Sequence, residues 1–83
     1  QALRRQIDRT DSRLLALLNR RARLALRVGR VKKRGSQRLF DPVREQAILR
    51  RVVRTNHGPL PARAARAIYR EILRQIRRLE RSA

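Results

Sequence analysis

There is no cysteine in this chain of 83 residues, so neither a disulfide framework nor a thiolate metal site can form, and a reducing compartment is the simpler expectation. Tryptophan is also missing, and the aromatics amount to one Phe and one Tyr. The core must then be assembled mostly from Leu, Ile, Val and Ala, a composition that favours helices. Acidic side chains are scarce: six Asp and Glu stand against 24 Lys and Arg, a formal charge of +18. Such an excess attracts anions and does not by itself choose among small anionic ligands, nucleic acid and membrane surfaces. No apolar run approaches the roughly 20 residues of a membrane span, and no signal-peptide core is present. The expected location is therefore cytoplasmic. A chain that opens on Gln1 rather than Met is expected to be a trimmed portion of something longer, so any targeting segment would fall outside these residues.

Eighty-three residues make one small domain, 1–83, which buries only about 60% of its unfolded surface when it stands alone. Three helices are legible in it. In the first, Leu3, Ile7, Leu14, Leu17, Leu18, Ala25, Val28 and Val31 recur at three- and four-residue steps, with polar residues on the opposite face. Gly29 is its interior weakness before Lys33, and a glycine in the middle of a helix usually marks close packing. Arg34-Gly35-Ser36-Gln37 is the first loop signal. Asp41 then reads as an N-cap and Pro42 as the first helical residue, where a missing N–H does no harm. The second helix carries Val43, Ala47, Ile48, Val52 and Val53 and stops at Asn56-His57-Gly58-Pro59, which combines a C-terminal Gly with a following proline. The third opens near Pro61 and carries Ala65, Ile68, Ile72, Ile76 and Leu79 on one stripe. No strand pattern competes, and the fold class is all-α, one long N-terminal helix followed by two shorter ones.

Length argues for an oligomer. A helix over 3–33 extends about 46 Å at 1.5 Å per residue, whereas a compact domain of this size has a radius of gyration near about 12 Å. One end must overhang, and its apolar stripe continues over the overhang. A second copy of the chain, related by a two-fold axis, is the expected cover. Residues from both copies would then share a site.

Several charged residues fall on or beside the buried stripe. Arg21 and Lys32 are separated by about three whole turns, so they share a face roughly 16 Å apart along the axis. Their long side chains can converge on a small dianion, although taken alone a solvated face is the readier account of such a pair in a chain this rich in arginine. Asp41 alone reads as a plain cap. Arg44 and Glu45 alone read as first-turn surface residues, with Glu45 favoured by the helix dipole. Arg4 alone reads as a solvated charge near the N-terminus.

Together these residues are more specific than apart. The chain resembles the all-helical, AroQ-class chorismate mutases over essentially its whole length. The resemblance rests on Leu3-Arg4-Arg5-Gln6-Ile7-Asp8, on Asp11 followed by Leu14-Leu15-Ala16-Leu17-Leu18, on Arg20-Arg21 and on Val28-Gly29-Arg30-Val31-Lys32. It continues through Phe40-Asp41-Pro42-Val43-Arg44-Glu45 and Ile68-Tyr69-Arg70-Glu71-Ile72. The turn Asn56-His57-Gly58-Pro59-Leu60-Pro61 also resembles that of mutase domains fused to, or associated with, DAHP synthase, the first enzyme of aromatic biosynthesis.

The resemblance implies an intertwined homodimer that converts chorismate to prephenate by an intramolecular Claisen rearrangement, on the route to phenylalanine and tyrosine. That reaction uses no nucleophile, metal or cofactor. Its demands are a compact conformation of a flexible dicarboxylate and stabilisation of charge developing on an ether oxygen, and arginine forks and a lysine suit both. The family pattern assigns the substrate carboxylates to Arg21 and Arg4, the latter reaching in from the partner chain. It assigns a carboxylate and the ether oxygen to Lys32, and the ring hydroxyl to the Asp41 backbone and the Glu45 carboxylate. Arg44 lines the site and orients these groups. Glu80 takes the place of a residue, Gln in many members and Glu in others, that donates a hydrogen bond to the ether oxygen. Donation requires a protonated carboxyl, which burial favours and the neighbouring Arg77, Arg78 and Arg81 and facing Lys32 oppose. Ile76 departs from the small or hydroxyl residue usual one turn earlier, so that contact is lost.

Three other readings stand beside this one. A basic helical module that binds nucleic acid would explain the charge, and salt-dependent incidental binding is expected at low salt in any case. The chain lacks a helix-turn-helix signature and base-stacking aromatics, and its arginines lie all around the helices. A mutase-like regulatory or interaction domain of an aromatic-pathway synthase is the second alternative. A lyase that removes pyruvate from isochorismate is the third, against which the Asp41 to Glu45 segment and Glu80 favour the mutase.

Overall fold

The computed structural model describes the backbone of residues 1–34 and 41–82 and the side chains of 1–30 and 41–82. It contains three helices and, among the described residues, no strand: α1 (Ala2–Arg34), α2 (Pro42–Thr55) and α3 (Ala62–Ser82). The loop signal beginning at Gly35, together with Phe40, lies outside the described residues, as do the side chains of Val31 and Lys32.

The first helix runs unbroken for 33 residues. Short polar side chains within it turn back on the preceding turn, Thr10 Oγ1 donating to the Gln6 carbonyl at 2.8 Å and Asn19 Nδ2 to that of Leu15 at 3.2 Å. They thereby occupy a helix interior that such residues otherwise disfavour. At α2 the start signal operates as its sequence predicts. Asp41 is extended, Pro42 follows it as the first helical residue, and the backbone N–H of Arg44 donates to Asp41 Oδ1 at 2.9 Å. The end of α2 differs from the expected glycine stop. Asn56 caps it in an extended conformation, and Gly58, with φ +80°, serves the following turn instead. Asn56 organises that turn, its Oδ1 accepting from Gly58 N–H at 3.2 Å and its Nδ2 donating to the Leu60 carbonyl at 2.7 Å. The Gly58–Pro59 peptide is cis.

The third helix packs against both α1 and α2 and holds the bundle together. Its contact with α2 centres on Ile48, Leu49 and Leu73, flanked by Val52 and Tyr69, while Ala65 and Ile76 are buried nearby. Gly29 is buried in α1, consistent with close approach at that point. Two stripe assignments shift. Val43 is 77% exposed, and Leu73 rather than Ile68 or Leu79 faces the core. On α3 the buried positions Ala65, Leu73 and Ile76 follow a line rotated from the one through Ile68 and Leu79, because one face must meet α1 and α2 together.

The overhang is pronounced. The longest dimension of the chain is 51 Å and its radius of gyration 15.1 Å, against about 12 Å for a compact domain of this length. Every residue from Gln1 to Leu17 is exposed, including Leu3, Ile7, Leu14, Leu15 and Leu17.

Candidate functional site

Between the C-terminal half of α1, the start of α2 and the last turns of α3, a cleft of about 310 Å³ opens. Helix α1 contributes Arg21, Leu24, Ala25 and Val28 to its walls. Asp41, Arg44, Glu45, Ile48 and Arg51 come from α2 and its cap, and Leu73, Ile76 and Glu80 from α3. Helical periodicity explains the selection. Arg44, Ile48 and Arg51 fall at four- and three-residue steps on one face of α2, as Leu73, Ile76 and Glu80 do on α3.

The floor is apolar and the rim is charged. Ile48, Leu73 and Ile76 belong both to the buried set and to the cleft wall, so the site rests on the best-packed part of the chain. Around them stand three guanidinium groups, those of Arg21, Arg44 and Arg51, and three carboxyl groups, those of Asp41, Glu45 and Glu80. Asp41 and Glu45 are held by defined contacts. One Asp41 oxygen is engaged by the helix cap, and Glu45 Oε1 accepts from Arg77 Nη1 at 3.2 Å, with both side chains mostly shielded. The Arg77 guanidinium offsets the Glu45 charge, and the N-terminus of α2 favours that of Asp41. The cleft is therefore suited to a small, partly apolar molecule bearing negative charge.

Six of the eight residues singled out in the sequence meet in this one cleft: Arg21, Asp41, Arg44, Glu45, Ile76 and Glu80. Lys32 lies on α1 one turn beyond Val28, but its side chain is outside the described residues. Arg4 is elsewhere. It precedes Arg21 by 17 positions on the same unbroken helix, a separation of about 26 Å along the axis, and it is exposed. No side chain bridges that distance, so Arg4 does not enter the cleft of its own chain.

Arg51 is not legible as a site residue in the sequence. It is one of many exposed-looking arginines, and its only signal is the seven-residue step from Arg44 that returns it to the same face. Arg77 likewise reads in sequence as a mere neighbour of Glu80, whereas it reaches across to α2. Away from the cleft, Glu71 is held at a pKa of about 2 by hydrogen bonds from Arg74 and Gln75, on an exposed face of α3.

The family model described as chorismate mutase type II matches residues 3–81. The chain belongs to the chorismate mutase type II family. Its backbone is similar to a solved chorismate mutase of Thermus thermophilus, form II, with a TM-score of 0.95 at 34% identity over 98% of this chain and 92% of that one. A second solved structure, form I of a chorismate mutase from the same organism, gives 0.90 at 34% identity, over 92% and 95% of the respective chains. Among curated proteins, the chain is 40% identical over 83 residues to a bifunctional chorismate mutase/prephenate dehydratase of Aquifex aeolicus. It is 38% identical over 78 residues to one of Neisseria gonorrhoeae. It spans 23% and 21% of the length of those two relatives, so the similarity is to one segment of a larger protein. The all-helical mutase fold implied by the resemblance is the observed one. These relatives carry a dehydratase, whereas the turn after α2 pointed to a DAHP synthase.

Proposed function

We propose that residues 1–83 form a single chorismate mutase domain, an isomerase whose cleft converts chorismate to prephenate. The observation that carries this reading is the convergence of Arg21, Arg44 and Arg51 with Asp41, Glu45 and Glu80 around an apolar floor. The rearrangement breaks the ether C–O bond and forms a C–C bond within one molecule, with no group entering or leaving. Binding the dicarboxylate in its folded conformer and stabilising the ether oxygen are the whole task.

In this reading Arg21 grips one substrate carboxylate as a two-pronged donor. Arg51 is a further cation for the acidic end of the substrate. Lys32 donates to a carboxylate and to the ether oxygen, and Glu80, when protonated, donates to the same oxygen from α3. The Asp41 backbone and Glu45 hold the ring hydroxyl, and Arg44 orients them. Ile76 fills the position one turn before Glu80 with a buried hydrocarbon, which narrows the cleft and offers no hydrogen bond.

A second copy of the chain completes the site. Arg4 is remote from its own cleft, and Leu3, Ile7, Leu14 and Leu17 form an exposed apolar stripe on the same overhanging segment. Two such segments crossing about a two-fold axis would cover each other and deliver Arg4 to the opposite cleft. A link to a second activity would fit the relatives. Prephenate dehydratase is the second activity named for these relatives, and it would consume the product of this domain. Association with DAHP synthase rests on the Asn56 to Pro61 turn alone.

Product analysis tests the assignment. Purified protein supplied separately with chorismate and isochorismate is expected to form prephenate from the first. Release of pyruvate from the second without prephenate from the first would make it the lyase instead.

A further inference from the structure

Glu45 occupies the first turn of α2, directly behind the Asp41 cap, and its carboxylate forms part of the cleft wall. A glutamate there is flexible and would ordinarily be drawn toward the open N–H groups of its own helix end. In this chain it is instead tied across the bundle. Arg77 Nη1 donates to Glu45 Oε1 at 3.2 Å, with only 28% and 22% of the two side chains exposed. Arg77 follows Ile76, which sits in both the core and the cleft wall, and precedes Glu80 by three positions on α3. The anchoring backbone is thus among the most firmly packed in the chain.

We propose that Arg77 is a positioning residue for the site, acting through Glu45. This rests on the mutase reading above and deepens it. Contact with one carboxylate oxygen fixes the rotamer and leaves the other oxygen to accept from the substrate's ring hydroxyl. The guanidinium also offsets the Glu45 charge from behind. Without that offset, a dicarboxylate entering the cleft would meet an uncompensated anion in a partly shielded setting, where the repulsion is stronger than in water. The pair therefore serves two ends: acceptor geometry for a hydroxyl, and tolerance of a dianionic ligand beside a carboxylate.

A double-mutant cycle on the full chain tests this with chorismate as the probe. Arg77→Met is expected to lower kcat/KM by roughly tenfold to a hundredfold, the range of a charge-assisted hydrogen bond, and Arg77→Lys to recover part of the loss. In the Glu45→Gln background, Arg77→Met is expected to add little, because the group it positions is already altered. With a chorismate analogue lacking the ring hydroxyl, the ratio of wild-type to Arg77→Met activity is expected to shrink markedly. Circular dichroism and a thermal melt verify folding of each variant. If Arg77→Met does not fold, Arg77→Gln and Arg77→Lys carry the same cycle. Wild-type kcat/KM in a folded Arg77 variant, losses that multiply with Glu45→Gln, or an undiminished loss on the analogue would overturn the proposal. Absence of chorismate turnover by the wild type would instead remove the mutase reading itself.

Discussion

The side chain of Asp41 accepts a hydrogen bond from the backbone N–H of Arg44 at 2.9 Å, so the cap that starts α2 and the wall of the cleft are one structure. Stability and site geometry should then respond together. Asp41→Ala is expected to cost about 1 kcal/mol of folding free energy and to lower kcat/KM, whereas Asp41→Asn keeps a capping oxygen and most of the stability. Denaturant titrations alongside steady-state kinetics measure both. An alanine variant as stable as the asparagine variant would argue against the cap.

Arg51 lies seven residues beyond Arg44, about 10 Å farther along α2, and in the proposed reading it meets the periphery of the substrate. Its removal should weaken ground state and transition state alike. Arg51→Ala is expected to raise KM by roughly tenfold with little change in kcat. Arg21→Ala is expected to lower kcat as well. Equal, small effects from both substitutions would show that neither guanidinium meets the substrate.

The role proposed for Glu80 carries a pH dependence of defined sign. An ionised carboxylate only accepts hydrogen bonds, so assistance to the ether oxygen grows as the group protonates and is lost as pH rises through its titration. Activity of the wild type is expected to climb toward acid, and Glu80→Gln, a donor at every pH, to flatten the profile. A wild-type rate that is constant between about pH 5 and pH 8 would count against the role.

The exposed stripe on the first half of α1 gives the proposed dimer its test. Leu14→Glu or Ile7→Glu would place a charge in an apolar contact between two copies, and is expected to yield monomers and remove most activity. Sedimentation equilibrium reads the first effect and the chorismate assay the second. A wild-type monomer with full activity would leave Arg4 without a function in catalysis.

Much of this organisation was legible in the residues. The helices are announced by local signals, of which Asp41-Pro42 is the sharpest, because capping and proline chemistry act over one turn and need no tertiary context. The overhang followed from length alone. Less legible was which hydrophobic face turns inward: Ile68 and Leu79 share a periodic stripe with buried neighbours, and only packing against two other helices at once selects Leu73 over them. Arg51 and Arg77 were hidden by abundance. With 24 basic residues in the chain, helical step alone cannot mark which ones face a cleft, and the tie from Arg77 to Glu45 spans 32 positions that no local pattern connects.

The most direct measurement is the disappearance of chorismate in the presence of the purified protein, with Lys32→Ala as the comparison. The expected result is steady turnover by the wild type and a loss of about a hundredfold or more in the variant, as for removal of a donor to a developing oxyanion. Absence of turnover, or a Lys32→Ala variant as fast as the wild type, would contradict the proposed catalytic cleft.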